Sequence, residues 1–189
     1  PTWCRGGTGK WLARNYSYEW YRCLEGRPSE ESEPPGTLLA PIALGTDGIE
    51  IIPLSVSHAG ADINPESFKE TRCNRNNWIA NPETEAQKKT VEALRGADHL
   101  FVDCFSWTVE EVVGVNTGHL SFATVRRYAK ALRPQETLLV HIGGHEEGEG
   151  NPGWGWTDRQ WGEEASKLWK ADGLSGTVRV PVMGEEFGI

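Results

Sequence analysis

The sequence predicts an α/β domain. Three observations carry that prediction. Short apolar runs of strand length alternate with longer segments of helical period from residue 37 onward. Several of those runs end in histidine or aspartate, the residue types that gather where strands of an α/β sheet stop. Glycine and proline supply 22 and 11 of the 189 residues, which makes the connections loop-rich.

Residues 1–36 form an aromatic-rich N-terminal segment without a clear period. It holds Trp3, Trp11, Tyr16, Tyr18, Trp20 and Tyr21, then the acidic stretch from Pro28 to Gly36. Proline and glycine break both helix and ladder, so that stretch reads as an exposed loop. The aromatics before it either pack onto a body supplied elsewhere or form an interface. Residues 37–189 read as the main domain. Leu38–Leu44 predicts a strand, Asp47-Gly48 a tight hairpin turn, and Ile49–Val56 a second strand that delivers Ser57-His58 at its end. Residues 59–76 are polar and loop-like. Trp78-Ile79-Ala80 predicts a short strand stopped by Asn81-Pro82, and Glu83–Arg95 a helix with Val91 and Leu94 inward.

Leu100–Cys104 reads as a buried strand, because it is a short apolar run of four to five residues preceded by a helix. Ser121–Leu132 is an amphipathic helix with Phe122, Val125, Tyr128, Ala129 and Leu132 near the 3.6 period and Pro134 beyond its end. Thr137–His141 is the next buried strand, followed by Gly143-Gly144. Trp161–Trp169 is a further helix, and Thr177–Met183 a last strand that Pro181 assigns to a sheet edge.

Composition narrows the function. A net charge of −8 opposes nonspecific binding to duplex DNA, which needs a cationic surface. No apolar run reaches the roughly 18–20 residues of a membrane span. Cys4, Cys23, Cys73 and Cys104 are scattered and form no Cys-x-x-Cys pair, which points to reduced thiols and a cytoplasmic location. The chain does not begin with Met, which marks it as processed or as a piece of something longer.

Four of the five histidines sit at strand ends or glycine-rich turns. His58 ends the second strand, His119 precedes a helix, His141 ends a buried strand, and His145 follows two glycines. Imidazole is a common metal ligand and carries protons near neutral pH. Asp103 closes another strand. Together they outline a candidate site. Three other features give less. His145-Glu-Glu-Gly-Glu149 reads as a solvated acidic loop, or as an oxygen-rich cation site without EF-hand spacing. Trp154, Trp156, Trp161 and Trp169 either pack a loop-rich core or line a pocket that stacks a base or sugar. Gly6–Lys10 lacks phosphate-loop spacing, and no strand precedes it.

The ordered succession Ile-Ile-Pro-Leu-Ser-Val-Ser-His58, Gly-Ala-Asp-His-Leu-Phe-Val-Asp103-Cys, Gly-His119-Leu-Ser and Thr-Leu-Leu-Val-His141-Ile-Gly resembles the C-terminal half of the metallo-β-lactamase fold. The nearest branch is that of ribonuclease Z and the phosphonate-metabolism phosphodiesterase, over residues 37–189. The resemblance implies an αββα sandwich with a two-metal site that hydrolyses a phosphodiester or ester. It implies His58 and His141 as metal ligands, for Zn or Mn. It implies His119 and Asp103 as a pair that handles the phosphate and the leaving group, with Asp103 orienting the His119 ring.

The departures are specific. The family's His-x-His-x-Asp-His motif is absent, and no histidine lies before Thr37. Asn81 stands near the place of the bridging aspartate, where a neutral amide cannot bridge two cations, and Asp62 or Glu83 are the substitutes at hand. The expectation is a partial or degenerate N-terminal end and weak or absent metal in this chain alone. The missing ligands would come from an absent N-terminal portion or another subunit. The expected partners are a small phosphodiester or nucleotide-like substrate and either a homo-oligomer mate or that N-terminal portion, with no membrane. The other reading is a catalytically degenerate binding or assembly module.

Overall fold

A computed structural model describes residues 34, 36–44, 49–52, 54, 77–107, 120–142, 149–150 and 152–187. The chain divides into two compact units, Pro1–Ser57 and His58–Ile189. The class is α/β, as the alternation of runs predicts.

In the first unit, β1 (Ile42–Leu44) pairs antiparallel with β2 (Ile49–Ile51), Leu44 opposite Ile49. An isolated antiparallel bridge joins Leu38 to Leu54, one residue out of the β1–β2 register. Both strands are shorter than predicted. Pro41 and Pro53 lack the N–H that a continuous ladder needs. The predicted Asp47-Gly48 turn lies outside the described residues.

The second unit carries a three-stranded parallel sheet in the order β3 (His99–Asp103), β4 (Glu136–Val140), β5 (Thr177–Arg179). Helix α1 (Glu85–Leu94) precedes β3, α2 (Phe122–Leu132) links β3 to β4, and α3 (Asp158–Ala171) links β4 to β5. Each helix begins at a side-chain cap. Thr84 and Thr157 form reciprocal boxes with Gln87 and Gln160, and Ser121 accepts from the Thr124 N–H. Trp78 does not lie in a strand. Asn77–Ile79 is a single 3-10 turn, and Trp78 is buried where that turn meets α1 and α2. The segment is stopped by Asn81-Pro82, and its indole is buried against helices rather than in a sheet.

Strand alternation sorts the sheet into two faces. Val102, Leu139 and Val178 point to one face and form a core with Phe122, Val125 and Ala129 of α2 and Trp161, Ala165 and Trp169 of α3. The centre of this core is aromatic. Trp107 stacks on Phe122 with ring centroids 4.5 Å apart, and Trp161 meets Trp107 edge-on at 5.0 Å. Trp161 and Trp169 are therefore core residues, not a stacking platform. Trp156 packs edge-on against Trp107 and Trp161, while Trp154 is exposed.

The opposite face carries His99 and Phe101 from β3, Glu136 and Leu138 from β4, and Arg179 from β5. Phe187, near the C-terminus, folds onto it and meets Phe101 edge-on at 4.9 Å and His99 at 5.4 Å. A polar chain crosses the strands beside it. The His99 Nδ1–H donates to Glu136 Oε2 (3.1 Å), Arg179 Nε donates to Glu136 Oε1 (2.7 Å), and both Arg179 Nη groups donate to Glu185 (2.8 and 2.6 Å). β5 lies at an edge, as Pro181 implies, but it ends at Arg179. Beyond Pro181 the chain turns, with the Glu185 N–H donating to Val182 O.

The Arg179 hydrogen bonds, with the Val182 N–H, hold the Glu185 carboxyl down to about 2 from an ordinary 4.5. A depressed folded-state pKa stabilises the fold above the unfolded value, and the contribution is lost as pH falls through the folded one. Glu185→Gln should therefore unfold earlier than the parent at neutral pH, and the gap should close between about pH 4.5 and pH 2. Unfolding midpoints measured across that range check it, and a pH-independent gap would refute the ion pair's role.

One glycine is demanded by geometry. Gly176, entering β5, has φ +69°, and a Cβ there would lie 2.3 Å from Pro134 O and 2.4 Å from Gln135 O. Both are backbone atoms that anchor the start of β4, and Gln135 O also accepts the Thr177 N–H. Gly176→Ala combines a left-handed conformation with a backbone clash. It should cost at least about 2 kcal/mol, read as a fall in the denaturant midpoint. An unchanged midpoint would show that β5 can move away freely.

Candidate functional site

Parallel β3 and β4 run in register, with Asp103 opposite Val140, so both strands end at the same level. The Cys104 N–H donates to Val140 O and extends the ladder one step. His141 follows directly. Its backbone is left-handed, φ 58°, one of two such non-glycine residues among those described. That conformation is uncommon for a histidine and turns the chain sharply out of the sheet.

The turn brings the imidazole to the neighbouring strand end. His141 Nδ1 lies 2.9 Å from Asp103 Oδ1. A carboxylate only accepts, so Nδ1 carries the proton and Nε2 is the ring atom with a lone pair to offer. Asp103 Oδ2 accepts the backbone N–H of Leu120 at 2.7 Å. That N–H lies just ahead of the Ser121 cap of α2, so the helix entry and the strand end are tied through one carboxylate. The Asp103 side chain is 28% exposed and the His141 side chain 56%. The carboxylate is the more sheltered of the two and the imidazole the more exposed.

Of the residues expected from sequence, Asp103 and His141 are brought into direct contact. The resemblance pairs Asp103 with His119, which lies outside the described residues; among the described residues Asp103 accepts from His141 and from the N–H of Leu120. His58, His119, His145 and Asp62 lie outside the described residues. Asn81 is exposed in the turn after the Trp78 segment, and Glu83 is exposed with its N–H bonded to Gln87 Oε1. Among the described residues no group of three or more His, Cys, Asp or Glu side chains could hold a metal ion. No described helix is long and apolar enough to cross a membrane.

Sequence reading missed Phe105. Its ring meets the His141 ring edge-on at 5.3 Å and is itself buried. The signal was available, since Phe105 stands two residues after Asp103, just past the end of the strand.

No family model, curated protein or solved structure matches the chain.

Proposed function

We propose that the chain is a metal-dependent hydrolase of the metallo-β-lactamase fold acting on a phosphodiester or ester, its metal ligands completed by an N-terminal portion or another subunit. The observation that carries this reading is the Asp103–His141 pair. A carboxylate on one ring nitrogen fixes the tautomer, raises the basicity of the other, and aims it. That arrangement suits a metal-ligating histidine, and it stands at the C-terminal ends of two parallel strands. A second observation supports the fold. The helices α2 and α3 pack on one face of the sheet, and the other face is left to strand side chains and Phe187, as an αββα half requires.

The residues fit the metal in part. His141 offers Nε2, and Asp103, which accepts the His141 Nδ1–H on one oxygen and the Leu120 N–H on the other, orients that imidazole. A catalytic zinc site takes about three protein ligands, and His58 is the further ligand that the resemblance implies. A bound Zn²⁺ or Mn²⁺ would supply Lewis acidity and an activated water. The chain's own part is then to hold the imidazole, keep its proton on Nδ1, and, through His119, give a proton to the leaving oxygen.

The test is elemental analysis and hydrolysis of bis(p-nitrophenyl) phosphate, for this chain alone and joined to a longer N-terminal portion. The chain alone should hold little metal, and the longer form should gain both metal and activity. His141→Ala should remove both. His119→Ala should lower turnover by about 10²–10⁴-fold with metal content unchanged. A longer form without metal or activity would overturn the hydrolase and leave a binding module.

A further inference from the structure

We propose that Phe105 is a positioning residue for His141, one that keeps Nδ1 on Asp103 and Nε2 turned outward. This rests on reading His141 as the working imidazole of the site. Three constraints converge on that ring. Its backbone is left-handed at φ 58°, its Nδ1 lies 2.9 Å from Asp103 Oδ1, and its plane meets the Phe105 ring at 65° with centroids 5.3 Å apart. Asp103 fixes the tautomer only for as long as the ring keeps Nδ1 turned toward it. A half-turn about the Cβ–Cγ bond moves the edge of the ring that faces the carboxylate. The side chain is more than half exposed, so solvent competes for both nitrogens.

Phe105 is well placed to prevent that. It is 8% exposed, its N–H donates to Leu120 O at 2.9 Å, and the Phe122 N–H returns a bond to Ser106 O. The phenyl ring is thus part of the rigid junction between the end of β3 and the start of α2. It covers one side of the imidazole and keeps water from the Asp103 hydrogen bond, which a low local dielectric strengthens. Asp103 and Phe105 are two apart, so one strand end supplies both the polar and the apolar half of the clamp.

The experiment reads the ring directly. Long-range ¹H–¹⁵N spectra of the full chain, labelled at histidine and free of added metal, report the tautomer of His141. The parent should show a protonated Nδ1 and an unprotonated Nε2 as separate signals. In Phe105→Leu the two should move toward their mean as the tautomers mix, while Phe105→Tyr should restore the parental pattern. Methyl spectra of Val125 and Leu139 confirm that each variant is folded. A parental tautomer in folded Phe105→Leu would overturn the proposal. If Phe105→Leu does not fold, Phe105→Tyr decides: mixed signals there, in a folded chain, would also overturn it. The readout needs no metal and no substrate, so it separates failure of the clamp from failure of the hydrolase. A parental ring that already averages its tautomers would overturn the pair itself.

Discussion

Trp161→Ala should remove about 3–5 kcal/mol of stability, the range for deleting a large buried aromatic. The indole is 1% exposed and meets Trp107 at 5.0 Å and Trp156 at 5.8 Å. Its loss opens a void between α3 and the aromatic stack over the sheet. Neighbouring rings cannot collapse into it, because Trp107 is held against Phe122 on its other side. A domain has about 5–15 kcal/mol in hand, so this one change takes much of it. Denaturant unfolding checks the magnitude. A loss below about 1 kcal/mol would mean that the aromatic layer is loosely packed and repacks.

Asp103→Asn should damage the site more than the fold. The carboxylate accepts from the His141 Nδ1–H on one oxygen and from the Leu120 N–H on the other. An amide of the same shape can serve only one of those donors, and its own NH₂ must face the second. Relief comes most cheaply from the exposed partner, by moving the His141 proton to Nε2. That nitrogen then cannot bind a metal. On the proposed reading of His141 as a metal ligand, metal affinity or activity should fall by about 10–100-fold. Because that proton shift leaves no donor unmatched, the stability loss should stay within about 1 kcal/mol, the net worth of an ordinary hydrogen bond. Metal content and thermal unfolding of the same preparation separate the two effects. Unchanged metal affinity in Asp103→Asn would mean that the carboxylate only joins the strand end to the helix.

Much of the second unit was legible because period and burial coincide there. Leu100–Cys104 and Thr137–His141 are apolar runs in a parallel sheet, and each matches its strand to within one residue. The α2 pattern of Phe122, Val125, Tyr128, Ala129 and Leu132 is the set of side chains the helix buries, apart from Thr124. Where the reading missed, a local signal had been passed over. Helix α3 begins at Asp158, three residues before the first buried indole, and Thr157-x-x-Gln160 is a capping box that marks this start. The strand expected at Trp78 failed for a different reason. Three residues cannot reveal whether an indole is buried by a sheet or by a turn. At the site, periodicity placed Asp103 and His141 at strand ends, but their pairing depends on the left-handed turn at His141. Nothing in a single sequence marks that turn in a non-glycine residue.

The polar chain from His99 through Glu136 and Arg179 to Glu185 spans β3, β4, β5 and the segment beyond them. It bears on how the sheet opens. A three-residue edge strand alone would fray, and its amides would exchange with solvent long before the centre of the sheet did. Here Glu136 is held from both sides, by His99 of the first strand and Arg179 of the last. Detaching either outer strand breaks a bond to the middle one. The edge strands are thus tied to the centre of the sheet by side-chain bonds as well as by the ladder.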